Sequence, residues 1–390
     1  MPATFQRDLS LPVEELRFEV GAPEHGCRLD RALGSWLRWC SRERARGWIE
    51  SKRCLVFAGR DPQQAPIGRI RASTRLRWGQ EVVVVLDAPA AGAVEPASPL
   101  DVLWEDEHLL AVAKPSGVAT HPTRGHLSGS LVELLHRQLA ASGCPQRPSP
   151  CHRLDLETSG VVLFAKHAAA RAAVGAMFER GEVDKTYLAI VRGVPSGRAG
   201  IIDLPIGSDP GIGSDPGSCV PVRRWVTPAG QRAETAWRVS RVESPKLEAS
   251  WALIEVRPRT GRQHQIRVHL AAIGHPILGD RLYLGGDELF LRSLERDLTA
   301  AELSRLGHPR CALHAWRLRL SHPVTAAPLA IEAPLGADLA ALVARSEPIP
   351  QARVAPESPV ARISGRPRDP GRQLCAAALR PLGARENAPS

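Results

Sequence analysis

Six segments dense in β-branched and large apolar residues recur between residues 107 and 320: EHLLAVAKP, GVVLFAKH, KTYLAIVRG, AWRVSRVE, WALIEVRPR and LHAWRLRL. Each has the length and composition of a strand. Three stretches read as helices from their apolar spacing: SLVELLHRQLAAS, HAAARAAVGAMFERG and RQHQIRVHLAAIG. Strands dominate, and helices do not alternate with them one for one. That pattern predicts an α+β fold and speaks against a doubly wound parallel sheet.

A smaller unit precedes this one. Leu29, Ala32, Leu33, Trp36 and Leu37 recur at helical spacing. Ser41 is placed to cap a second, basic helix that has Glu43 and Arg44 in its first turn and runs to about Ser51. A short strand, CLVFAG, follows, and LRWGQEVVVVLD closes the unit. The spacing predicts a compact basic α+β module over 20–88, a linker over 89–99 that contains the Ala/Pro stretch AAGAVEPASP, and a large domain over 100–345. Residues 347–390 are proline-rich and poor in large apolar side chains, so they are expected to form a disordered tail. GSDPGIGSDPG, 207–217, is built of turn formers and is expected to be an exposed loop. It lacks the strand–GxxxxGK[ST]–helix frame of a phosphate cradle.

Net charge is +10, with arginine far more frequent than lysine, which favours polyanionic partners such as nucleic acid. The first twenty residues lack the basic and apolar regions of a secretory signal. No apolar run reaches the roughly 18 residues of a membrane span. The eight cysteines form no CxxC pair and no zinc spacing with histidine. A cytoplasmic protein with free thiols and no structural metal is expected.

Four stretches concentrate chemistry. CHRLDLETSGVVLFAK, 151–166, carries Asp155 between Arg153 and a Thr-Ser-Gly turn. Alone, an acid beside an arginine is more often structural. In WEDEHLLAVAKPSGVATHP, Lys114 ends an apolar strand, where it could meet phosphate or snorkel. In DKTYLAIVRG, Lys185, Tyr187 and Ala189 share a strand face, suited to stacking on a nucleobase or to half-burial. In RPRTGRQHQIRVHLAAIGHPILGDRLY, 257–283, a Thr-Gly turn leads into a helix beginning near Arg262. Arg262 and Arg267 near its N-terminus suit anion contacts. His264 and His269 are five apart, not the HExxH spacing of a zinc site.

Together HRLDLETSG, KPSGVATHP, DKTYLAIVRG and TGRQHQIRVHLAAIGHPILGD resemble the RluA-type pseudouridine synthase family, and LHAWRLRLSHPVT resembles its closing strand. The small-subunit-type synthases usually show GRLD rather than HRLD. The N-terminal pattern resembles the S4 RNA-binding domain, with Val56-Phe57-Ala58-Gly59 where the usual V-N-G turn stands. The resemblance implies a central mixed, largely antiparallel β-sheet with flanking helices, preceded by an S4-like module that contacts RNA through Arg42, Arg44, Arg46 and Lys52.

It also implies site roles. Asp155 is the catalytic residue. An ordinary Asp, with a pKa of about 3.9, is already ionised at neutral pH. Attack at C1′, attack at C6 and removal of a ribose proton are all compatible with it. Arg267 is the cationic partner of Asp155, Arg153 fills the space left by the displaced base, and Tyr187 stacks on that base. Leu154 and Ile266 form apolar walls, and Thr158, Ser159 and Gly160 shape the turn. His152, Lys114, Lys185, Arg262, His264 and Gln265 are further candidate RNA contacts. No cofactor or metal is implied. The expected partner of this monomer is RNA, ribosomal RNA of the large subunit first and tRNA second. A non-catalytic RNA-binding assembly factor is the alternative class. A hydrolytic glycosidase would want a second carboxylate, for which Glu157 is the nearest in sequence.

Overall fold

A computed structural model of the chain describes residues 15–36, 42–59, 65–85, 99–121, 129–208, 220, 222–242, 251–348 and 361–363. The chain divides into two compact units, 1–97 with 121–143 and 98–120 with 144–390. Residues 121–143, expected inside the continuous span 100–345, group with the N-terminal residues.

The first unit holds β1 (Glu15–Glu19), α1 (Leu29–Trp36), α2 (Arg42–Glu50), β2 (Cys54–Phe57), β3 (Glu81–Val85) and α3 (Leu131–Ala141). The strands form an antiparallel sheet in the order β1-β3-β2, in which Val82 faces both Phe18 and Val56. The helical spacing seen in sequence lays Leu29, Ala32 and Leu33 of α1 and Ala45 and Ile49 of α2 on Val56, Val82 and Val84. Phe18 stacks on Trp36 at 4.9 Å between ring centroids. The expected cap Ser41 lies outside the described residues.

The second unit begins with β4 (Val102–Glu105), β5 (Leu109–Lys114), β6 (Ser149–Pro150), β7 (Ser159–Ala165), α4 (Ala168–Arg180) and β8 (Asp184–Arg192). Next come β9 (Ala199–Asp203), β10 (Ile206–Ser208), β11 (Arg224–Val226), β12 (Glu234–Val242), β13 (Trp251–Pro258) and α5 (Gln265–Ala272). It ends with α6 (Gly286–Glu295), α7 (Ala300–Leu306), β14 (Leu313–Ser321), β15 (Pro328–Glu332), α8 (Ala337–Ala344), β16 (Glu347–Pro348) and β17 (Ala361–Ile363). The main sheet runs β17-β9-β12-β13-β8-β14-β7-β5-β4, with β15, β16 and β6 pairing at its sides. Among the described strands its pairs are antiparallel except β14 with β7 and β17 with β9. The fold is therefore α+β with a mixed, largely antiparallel sheet.

Every expected strand and helix of the large domain is present. The helix expected to begin near Arg262 starts at Gln265, because His264 takes a left-handed conformation (φ 56°) that no α-helix continues through. The tail expected to lack structure from 347 contributes β16, paired with β12, and β17, paired with β9. Most of GSDPGIGSDPG lies outside the described residues. Among the described residues no helix is long and apolar enough to cross a membrane.

One register matters for the site. Ala315 of β14 faces Gly160 of β7 on one side and Tyr187 of β8 on the other. The turn after Asp155 and the aromatic strand are thus held two strands apart in a single hydrogen-bonded sheet.

Candidate active site

Asp155 sits in the loop between β6 and β7, and this loop is locked at several points. The Thr158 N–H donates to the Asp155 carbonyl at 3.1 Å. Thr120 Oγ1 accepts the Leu154 N–H and donates to the Leu154 carbonyl, both at 3.1 Å. Lys114 Nζ donates to the carbonyls of Pro115, Val118 and Leu156 at 2.9, 2.6 and 3.0 Å. Lys114 is 1% exposed, so the expected phosphate contact is corrected: its ammonium group ties the Asp155 loop to the end of β5. Gly160 has φ +118°, and a Cβ there would lie 2.2 Å from the Ala315 carbonyl oxygen. Only glycine lets the chain pass from this loop into β7 so close to β14.

Arg267, in the first turn of α5, reaches Asp155 as expected, with Nη1 3.3 Å from Oδ2. Its firmer partner is a residue that the sequence reading passed over. Arg267 Nε and Nη2 donate to the two oxygens of Asp280 at 2.7 and 2.9 Å. Asp280 is fully buried and also accepts the N–H groups of Leu282 and Tyr283 at 3.0 and 2.9 Å. The guanidinium lies 5.0 Å from the centroid of the Tyr283 ring. The Tyr283 hydroxyl is 3.1 Å from His264 Nδ1, and His264 Nε2 is 3.9 Å from Asp155.

Burial opposes ionisation of Asp155, but the surrounding positive groups (His264, Arg267 and Arg153) outweigh it and hold the carboxyl below its usual range. His264 is itself pushed down to about 4 by burial and by Arg267. It is charged only in acid, so at neutral pH the attraction comes from the two guanidinium groups.

A cavity of about 820 Å³ opens here. Asp155, Arg153, Leu154, Tyr187, Lys185, Ile266 and Arg267 line it together. Arg262 and His264 stand on its wall, joined by Arg180, Arg259 and Phe178, which the sequence reading did not single out. Arg153 is exposed and makes no hydrogen bond or ion pair among the described residues. The Tyr187 phenol is pushed up by burial and then by the Asp155 charge, so it keeps its proton at neutral pH.

Two further expected contacts are corrected. His152 lines the cavity, yet its Nε2 accepts the Leu163 N–H at 3.1 Å and its ring leans on Phe178. Burial, then Lys185, pushes its pKa down to about 4, so it is a neutral structural group. Gln265 spends its amide inside the protein. Its nitrogen donates to the Glu234 carbonyl and Thr235 Oγ1, both at 2.9 Å, and its oxygen accepts from Thr260 Oγ1 and the Arg262 N–H. It lines the cavity, but these bonds fasten α5 to β12.

Glu157 is occupied elsewhere. It pairs with Arg281 at 3.3 Å and accepts the Cys311 N–H at 3.2 Å. It does not line the cavity, so the second carboxylate a glycosidase wants is not supplied by it. In the first unit, Arg46 is exposed and lies 3.9 Å from Asp30, and Lys52 is exposed with φ 59°. The side chains of Arg42 and Arg44 lie outside the described residues.

Residues 108–272 match the family model described as RNA pseudouridylate synthase. The chain is 34% identical over 349 residues to a ribosomal large subunit pseudouridine synthase D of Nitrosomonas europaea, covering 87% of this chain and 91% of that one. It is 37% identical over 267 residues to the uncharacterized RNA pseudouridine synthase YhcT of Bacillus subtilis, covering 68% and 78%. Among solved structures it is similar to human RNA pseudouridylate synthase domain containing 4, at 29% identity and TM-score 0.46 over 63% of this chain and 93% of that one. The chain belongs to the RNA pseudouridylate synthase family, the isomerases that convert uridine in RNA to pseudouridine.

Proposed function

We propose that the protein isomerises uridine in large-subunit ribosomal RNA, with Asp155 as the catalytic carboxylate. One observation carries this reading: Asp155 lies 3.3 Å from the Arg267 guanidinium inside a cavity of about 820 Å³, roomy enough for a nucleotide. An ionised carboxylate is what detachment of uracil needs, whether it attacks a carbon or takes a proton, and neither cofactor nor metal enters the chemistry. The relative from Nitrosomonas europaea and one from Xylella fastidiosa, 36% identical over 82% of this chain, are both called ribosomal large subunit pseudouridine synthases, which supports the choice of RNA.

The target uridine must leave its stack, at a cost of a few kcal/mol. Arg153, exposed and without a hydrogen bond or ion pair among the described residues, is the group that fills the vacated space, since a guanidinium can stack. Tyr187 stacks on the displaced base, and Leu154 and Ile266 flank it. Lys185, Arg262 and His264 line the approach, and Arg180 and Arg259 on the cavity wall meet flanking phosphates. The first unit acts as an S4-like RNA-binding module, and the enzyme works as a monomer in the cytoplasm.

The test uses ribosomal RNA and tRNA transcripts tritiated at uracil C5. Release from large-subunit RNA by wild type, with none by Asp155→Ala, is the expected result. Release from tRNA alone would move the target. Binding without release from any transcript would support the assembly-factor class, and free uracil a glycosidase.

A further inference from the structure

Trp78 is 74% exposed, more than any other large apolar side chain among the described residues. A single exposed apolar side chain is ordinary. Two observations set this one apart.

The first is stiffness. Trp78 sits in a turn just before β3, where its N–H donates to His25 Nδ1 at 3.1 Å. The Arg77 N–H donates to Gln80 Oε1 at 2.7 Å, and the Gln80 N–H returns to the Arg77 carbonyl at 3.1 Å. Gly79, at φ 79°, donates to the Val20 carbonyl at 3.0 Å. The backbone that presents this indole loses little freedom on binding.

The second is charge. The segment APIGRIRASTRLRWGQ, 65–80, holds Arg69, Arg71, Arg75 and Arg77, all exposed, and no acid. Leu76 is buried between Arg75 and Arg77, so these two arginines face outward. The neighbouring acids are taken: Asp30 is buried and bonded by Arg28 at 2.9 and 3.0 Å, and Glu81 pairs with Arg17 at 3.1 Å.

Among the described residues no acid pairs with Arg75 or Arg77, although Arg75 Nη1 donates to the Gly26 carbonyl at 2.8 Å; an exposed ring flanked by such guanidinium groups fits a ligand with a flat π face and negative charges on either side. We propose that Trp78 is a stacking platform for an unpaired base of the substrate RNA, with Arg77 and Arg75 meeting the adjoining phosphates. The inference rests on the RNA reading above. It places a contact away from Lys52: the β2–β3 register pairs Cys54 with Val84 and Phe57 with Glu81, so Trp78 and Lys52 lie beyond opposite ends of β3. Five strand residues separate those ends by about 17 Å.

The test compares wild type, Trp78→Ala, Trp78→Phe and Arg77→Ala, all full length. Affinity is measured over a salt series for a large-subunit ribosomal RNA transcript, a 12-nucleotide single strand and a blunt duplex of the same sequence. Trp78→Ala is expected to weaken single-strand binding about tenfold with an unchanged salt slope, since stacking carries no charge. Trp78→Phe should keep most of the affinity. Arg77→Ala should flatten the salt slope. Duplex binding should be the same for wild type and Trp78→Ala. Wild-type affinity in Trp78→Ala, an equal loss on duplex, or a loss of binding to anionic lipid vesicles in place of RNA overturns the proposal. If wild type is active and Trp78→Ala binds normally, only this inference falls. If wild type neither binds nor modifies RNA, the functional reading above falls with it.

Discussion

Arg267 is clamped by Asp280 through two N–H bonds of 2.7 and 2.9 Å, while its Nη1 donates to Asp155 at 3.3 Å. The arginine is thus aimed by one acid and used by another. Removing each acid should have a different result. Asp280 is fully buried, so Asp280→Ala strands a buried cation and is expected to cost about 3–5 kcal/mol. The Asp155 side chain is 26% exposed, and Arg267 keeps its fork when it is lost. Asp155→Ala should therefore change stability by less than about 1 kcal/mol while abolishing isomerisation. Urea denaturation beside tritium release checks both. Near-equal stability losses for the two variants would contradict this division of labour.

Lys114 tests the mount rather than the chemistry. In its protonated form Lys114 donates to three carbonyl oxygens; Lys114→Met takes this donor from the Pro115 and Val118 carbonyls, at roughly 1–3 kcal/mol each, while Leu156 still accepts the Gly117 N–H at 2.9 Å. Burial, resisted by Asp155, lowers its pKa to about 7 from the ordinary 10.5. Between those values the unfolded chain binds one more proton than the folded one. The Lys114 contribution to stability therefore rises with pH from about 7 to 10.5 and is lost as pH falls back through 7. Wild type should gain stability from pH 7 to 9 relative to Lys114→Met. Parallel denaturation curves at the two pH values would show that Lys114 keeps its ordinary pKa.

Much of this was legible in the sequence. Strands and helices of the large domain announced themselves because each buries a continuous apolar face, and Asp155, Tyr187 and Arg267 sit in dense local patterns. Asp280 and Tyr283 stood in the same quoted stretch, yet their role depends on a contact thirteen residues from Arg267 that no helical or strand period encodes. Lys114, His152 and Gln265 misled for one shared reason. A polar side chain near a site looks alike in sequence whether it is free to meet a ligand or is already engaged by buried groups of the protein, and hydrogen-bond geometry alone separates the two.

The pH dependence of activity should be flat on the acid side. The folded pKa of Asp155 lies below its unfolded value, so its stabilising ionisation is complete above about 4 and is lost as pH falls through the lower folded value. Tritium release at limiting RNA should therefore stay level from pH 8 to 5, with no acid limb from this carboxylate in that window. A titration near pH 6 in kcat/KM that persists in Lys114→Met would mean that Asp155 is raised, and that burial rather than Arg267 dominates its surroundings.

Tyr187 separates stacking from proton handling. Its phenol keeps a proton at neutral pH, because burial and the Asp155 charge both raise its pKa. Tyr187→Phe keeps the ring and removes only the hydroxyl, so RNA affinity should hold within about twofold. Loss of a positioned acid–base group typically costs 10²–10⁴-fold in rate. Tyr187→Phe is expected to slow single-turnover isomerisation in that range while leaving binding intact. Tyr187→Leu should weaken binding as well, since the stacking face is gone. Full activity in Tyr187→Phe would reduce Tyr187 to a stacking surface.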